Sequence, residues 1–114
     1  MRELLLIDEL AVGRRLVITP SGEIDMATVD PLRDALARAS RSDAQDIWVD
    51  LTEVRFMGSV GITALVQAHR ELSARQRRLA LICPAGAVRR VLDVAGLDQV
   101  LVIFADHRTA AATP

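Results

Sequence analysis

The chain switches repeatedly between two hydrophobic periods along its 114 residues, and this alternation limits the folds open to it more than any other property. Leu4 to Ile7 and Leu16 to Thr19 are short apolar runs separated by the polar turn Gly13-Arg14-Arg15, which predicts an antiparallel hairpin. After Pro20-Ser21-Gly22, Val29, Leu32, Ala35, Leu36 and Ala39 recur at steps of three and four. A helix is expected there, with Thr28 as its N-cap, Pro31 in its first turn and its end near residues 40–43. Ile47 to Leu51 reads as a strand covered on both faces. Residues 52–57 then lead into a second helix whose face is Ile62, Leu65, Val66, His69 and Leu72. Leu79 to Cys83 is a further strand, Val88, Val91, Leu92 and Ala95 mark a third helix stopped by Gly96, and Val100 to Phe104 is the last strand. Strands alternating with helices at this spacing imply right-handed βαβ crossovers. The expected fold is α/β: one domain over residues 1–114, with a mixed sheet made of an opening hairpin and then parallel βαβ units, packed with three to four helices. Residues 107–114 are expected to be a frayed tail, because their alanine and polar content gives no reason for a packed element.

Composition narrows the function classes. The formal net charge is −1 and 51% of the residues are apolar, so the basic field of a nucleic-acid binder is missing and a protein is the better default partner. The apolar run near the N-terminus is too short to span a bilayer and has carboxylates on both sides, so no membrane span and a cytoplasmic location are expected. Cys83 is the single cysteine and ends an apolar run, which reads as a buried structural thiol. No metal-ligand cluster, P-loop or dinucleotide fingerprint appears, so no cofactor is expected. Gly58-Ser59-Val60-Gly61 resembles a nucleophile elbow, but that motif needs glycine two residues before the serine and position 57 is Met. His69 falls on the apolar face of a helix and His107 in the tail, so neither is placed as a base and no enzyme is expected.

In a parallel α/β sheet each helix follows the carboxyl end of a strand, which gathers the helix N-termini at one edge. The segments of interest are therefore residues 22–28, 56–61 and 84–86. Ser59 stands at a helix start among unpaired backbone N–H groups, where a phosphate would be favoured and where a serine also serves simply as a cap. Glu23 and Asp25 read locally as a solvated loop, with Asp25 or Thr28 capping the first helix. Arg75, Arg77 and Arg78 read as cations at a helix C-terminus on a solvated face. Arg89 and Arg90 lie closer to the edge and read as an exposed helix face.

Gly22-Glu23-Ile24-Asp25, then Val49-Asp50-Leu51-Thr52, then Val54 to Ile62 containing Met57-Gly58-Ser59-Val60-Gly61 together resemble the STAS family of anti-sigma factor antagonists. Members typically carry Gly-Glu-Leu/Ile-Asp, a strand, and Asp-Ser-Ser/Thr-Gly at a helix start. Gly58 stands here where the family has its Asp, and Val60 where it has its second Ser/Thr. The resemblance implies a protein that binds an anti-sigma factor with serine-kinase activity and so frees a sigma factor. It implies that Ser59 is the phosphoacceptor, that a phosphatase restores the unmodified form, and that Glu23, Asp25, Met57, Gly58, Ser59, Val60 and Gly61 form the partner-binding surface. A non-phosphorylated STAS interaction module and a small-ligand-binding STAS protein are the alternative expectations.

Overall fold

Two antiparallel strands, β1 (Leu6–Val12) and β2 (Arg15–Ile24), open the chain and join through Gly13-Arg14, where Gly13 supplies a φ of +61°. The computed structural model describes residues 4–112. The elements that follow are α1 (Asp30–Arg41), β3 (Asp46–Asp50), β4 (Val54–Met57), α2 (Ser59–Ser73), β5 (Arg78–Ile82), α3 (Ala87–Val94), a 3-10 turn (Leu97–Gln99), β6 (Val102–Phe104) and α4 (His107–Ala112). The sheet runs β1-β2-β3-β5-β6, antiparallel at the hairpin and parallel thereafter, and β4 pairs with the far end of β2. This is the expected α/β architecture, a mixed six-stranded sheet with four helices.

Pro20-Ser21-Gly22 does not end β2, although its composition suggests a break. β2 pairs with β3 over residues 15–18 and with β4 over residues 22–24, so Pro20 falls between its two parallel partners, where a missing N–H disrupts neither ladder. A register shift between Gly22 and Glu23 then turns the strand toward β4, and Gly22 takes φ +124° there. β4 itself was not expected. It has four residues, only its ends Val54 and Met57 are buried, and so it lacks the alternation that marks a strand in sequence.

The main core lies between the sheet and α1, α2 and α3. Leu32, Ala35, Leu36 and Ala39 of α1 are buried at their expected spacing. The buried stripe of α2 is Gly61, Ala64, Leu65, Ala68 and Leu72, rotated from the one expected, and Ile62, Val66 and His69 are only half-buried. Small residues bring α2 close to its neighbours, and the larger ones flank that contact. α3 buries only Val88 and Leu92, whereas Val91 and Ala95 are exposed. Cys83 is buried as expected, and burial pushes its thiol pKa up.

Three local expectations are corrected. Thr28 does not cap α1: the N-cap is Val29, without a side-chain bond, and Thr28 turns back into the preceding loop. Arg77 is not solvated. It reaches the end of α1 and donates to the carbonyls of Ala39 at 2.8 Å, Ser40 at 2.7 Å and Ala44 at 2.9 Å, while Arg75 adds a bond to Ser40 O at 3.0 Å. The cations thus serve the C-terminus of a different helix from the one they follow. The tail is corrected over residues 107–112, residues 113 and 114 lying outside the described ones: α4 packs on the opposite face of the sheet, where Ala110 is buried with Trp48, Ala80 and Ile82. Its first turn is held by Thr109 N donating to Asp106 Oδ1 at 2.7 Å and by the His107 Nε2 to Asp50 Oδ2 contact at 2.6 Å. Trp48 sits between the Arg15 guanidinium, 3.7 Å from its ring centroid, and the His107 ring at 5.7 Å.

Two predictions follow from these contacts. Arg77→Met keeps the apolar stem and leaves the carbonyls without their donor, so urea unfolding should show a loss of about 2–4 kcal/mol, partly recovered in Arg77→Lys. For Asp50, burial raises the carboxyl pKa, but hydrogen bonds from Thr52 and His107 outweigh it and leave the group below its ordinary value of 3.8. A depressed folded pKa gives stability that is complete above the ordinary value and is lost as pH falls through the folded one. The stability gap between wild type and Asp50→Asn should therefore be widest near neutral pH and close under strong acid; a gap that stays constant with pH would refute the coupling.

Candidate functional site

The carboxyl ends of β2 and β4 and the start of α2 meet at one edge. Gly58 N donates to Ile24 O at 2.8 Å, which fixes the approach to α2 against the end of β2. Gly58 is the N-cap, with extended backbone (φ −83°, ψ 169°) and no side chain to cap with. Its carbonyl accepts from Gly61 N at 3.0 Å and Ile62 N at 3.4 Å. Ser59 is the first helical residue and its side chain is exposed. The first-turn N–H groups of Ser59 and Val60 have no backbone acceptor among the described residues, so the partial positive charge of the helix end is uncompensated there.

Gly61 determines how close this turn can lie. A Cβ at position 61 would stand 2.8 Å from Ile24 Cγ2 and closer still to Met57 Sδ, so a side chain there would force Ile24 and Met57, or the helix itself, to shift. A Cβ at Gly58 would meet Ile24 O at 3.3 Å, a contact that a slight shift relieves.

The neighbouring loop is held by one buried hydroxyl. Thr28 Oγ1 donates to Glu23 O at 2.7 Å and accepts from Asp25 N at 2.9 Å. Asp25 Oδ1 in turn accepts from Ala27 N at 2.9 Å and lies 3.2 Å from Thr28 Oγ1. Asp25 thus caps its own turn and stays half-buried, while Glu23 is exposed. Of the other expected site residues, Gly58 and Val60 are half-buried, and Met57 and Gly61 are buried and shape the surface from beneath. The third segment joins through α3: Ser59 and Ile62 share a shallow groove of about 470 Å³ with Ala87, Arg90, Val91 and Val94.

Sequence reasoning missed the apolar groups exposed around this edge. Met26 is 88% exposed, Phe56 51% and Val94 90%. The signal was present for Val94, which lies off the Val88 and Leu92 stripe, and for Phe56, an exposed aromatic just before the motif. Among the described residues no group of three or more His, Cys, Asp and Glu side chains is placed to hold a metal, and no helix is long and apolar enough to cross a membrane.

A family model described as the STAS domain matches residues 7–110. The anti-sigma-B factor antagonist of Listeria monocytogenes is 31% identical over 83 residues, 73% of this chain and 73% of that protein. A crystal structure of an anti-sigma factor antagonist from Mycobacterium paratuberculosis aligns with a TM-score of 0.88 and 25% identity, covering 94% of this chain and 91% of that one. The Bacillus cell fate determinant SpoIIAA in its phosphorylated form aligns with a TM-score of 0.71 and 26% identity, covering 93% and 96%.

The two glycines of the turn should respond differently to substitution. Gly61→Ala gains roughly 1 kcal/mol of helix propensity but overpacks the junction by about 1–3 kcal/mol, so a net loss of about 1 kcal/mol is expected in urea unfolding. Gly58→Asp, which can offer a cap carboxylate in an allowed backbone conformation, should stay within about 0.5 kcal/mol of wild type. A Gly61→Ala protein as stable as wild type would show that the seat of α2 is not tight.

Proposed function

The chain belongs to the STAS domain family, and from that premise we propose that it is a bacterial, cytoplasmic anti-sigma factor antagonist whose binding is switched off by phosphorylation of Ser59. In this reading the surface around Asp25 and Ser59 engages an anti-sigma factor with serine-kinase activity and so releases a sigma factor. The kinase transfers the γ-phosphoryl group of ATP to Ser59 Oγ, the hydroxyl proton is lost and ADP leaves. A phosphatase returns the serine by hydrolysis, with inorganic phosphate as the other product.

The observation that carries this reading is the placement of Ser59: exposed, first in α2, beside two unpaired N–H groups, and next to a loop that Thr28 holds in shape. Similarity to named antagonists and to a phosphorylated SpoIIAA supports it. Phosphorylation adds about −1.5 to −2 charges. The free helix end accommodates that charge, whereas an apposed partner surface must desolvate or repel it, and the difference between the two states is the switch.

Gly58 and Val60 favour a second reading, a STAS interaction module that binds its partner without phosphorylation, because both lack the polar groups the family carries beside its serine. One experiment separates the two. The protein is used as bait in an extract of its own host, the retained anti-sigma factor is purified, and the pair is incubated with ATP and mapped for phosphopeptides. Phosphate on Ser59, binding lost on its addition, and permanent binding by Ser59→Ala are the expected results. Asp25→Lys should weaken binding about tenfold or more without unfolding the domain. Tight binding with no phosphate on Ser59 would replace the switch by the constitutive module, and phosphate on Thr52 or Thr63 alone would move the site.

A further inference from the structure

We infer that the groove between the first turn of α2 and the outer side of α3 is a second contact for the same partner, fitted to an apolar side chain flanked by a carboxylate, and that Arg90 reads the phosphorylation state of Ser59. The inference rests on the antagonist reading and extends the partner surface beyond the family motifs.

The groove is apolar where a surface helix has no structural need to be. α3 is anchored by Val88 and Leu92, yet it also presents Val91, 40% exposed, and Val94, 90% exposed, toward Ile62. Val94 in particular gains almost no burial in the free protein, and apolar groups clustered in a groove mark a contact. Charge identifies what would fill it. Arg89 already has its carboxylate, Asp93 Oδ1 at 2.9 Å one helical turn on. Arg90, exposed beside it in the groove, has no ion-pair partner among the described residues. At the other part of the edge the end of β2 carries Glu23 and the loop after it Asp25, while α3 carries Arg90 beside the apolar groove. A partner that matches the groove presents to it an apolar residue beside an Asp or Glu.

Ser59 lines this groove together with Arg90. A phosphate on Ser59 therefore enters the region that the partner's carboxylate occupies, repels it and takes Arg90 as its own counter-ion. The phosphate acts twice, by opposing the partner's charge and by occupying the cation that had attracted it.

The test has one arm with the partner and one without. Wild type, Asp25→Lys, Arg90→Ala, Arg90→Lys and Val94→Ser are titrated calorimetrically against the anti-sigma factor that the wild-type protein retains from its host. Arg90→Ala and Val94→Ser should each weaken binding about 5- to 30-fold with unchanged urea midpoints, since both side chains are exposed, and Arg90→Lys should recover part of the loss. In the second arm, Ser59 is phosphorylated and its second ionisation is followed by phosphorus NMR. It should lie lower in wild type than in Arg90→Ala, because the guanidinium favours the dianion. If Asp25→Lys weakens binding while both α3 variants bind like wild type, the groove is not part of the surface, although the antagonist reading stands. Equal phosphoserine ionisation in wild type and Arg90→Ala would remove Arg90 as the reader. A wild-type protein that retains no anti-sigma factor would end the antagonist reading and this inference with it.

Discussion

The hydrogen atom at Gly61 is the constraint on which the edge of this molecule depends. Ile24 ends β2, Met57 ends β4, and both press into the space that a Cβ at position 61 would need. With glycine there, α2 starts directly against the sheet, Gly58 N reaches Ile24 O, and Ser59 is delivered to the surface at a fixed place relative to the Asp25 loop. The rest of the α2 stripe continues the theme with Ala64 and Ala68, so the helix is held by close backbone approach as much as by large side chains. A bulkier first turn would lift α2 and separate the two loops that the functional reading requires together.

At the edge the helix end offers unpaired N–H groups, Asp25 Oδ1 accepts within its own turn, and Arg90 has no ion-pair partner among the described residues. The strongly coupled charges lie elsewhere: Arg77 on the carbonyls of α1, and Asp50 with Thr52 and His107 beneath α4. These contacts do not involve Ser59, so a charge added there would leave them in place.

The alternation of periods made the α/β class, the opening hairpin, the parallel strands and the helix-start edge legible in the sequence, since buried faces must repeat at the period of their element. Features that hinge on contacts distant in sequence were not legible. β4 exists because the end of β2 needs a partner after the register shift at Gly22, and nothing in its four residues announces that. α4 depends on Asp50, 57 residues before His107, and Arg77 finds its acceptors 33 to 38 residues upstream. Thr28 misled because a threonine before a helical pattern is a good cap in sequence, while the geometry of the Asp25 turn offered its hydroxyl better partners. At the candidate site the motif residues themselves were readable, and Val94 and Phe56 carried a signal that went unused, but the exposure of Met26 was not legible, because periodicity reports which residues can be buried and not which remain uncovered.

A phosphate could act at such an edge without any change of backbone. The first turn of α2 packs closely on Ile24 and Met57, so an added group there would act through charge and volume at the surface. Two unit charges about 6 Å apart interact by roughly 3 kcal/mol at an effective dielectric of about 20, the value suited to pairs near a protein surface. Since 1.4 kcal/mol is about a tenfold change in affinity, one opposed carboxylate suffices for more than a hundredfold. A rigid seat would make that repulsion effective: a flexible loop would carry a phosphate aside and relieve it, whereas a serine at the start of a packed helix would hold the charge in place.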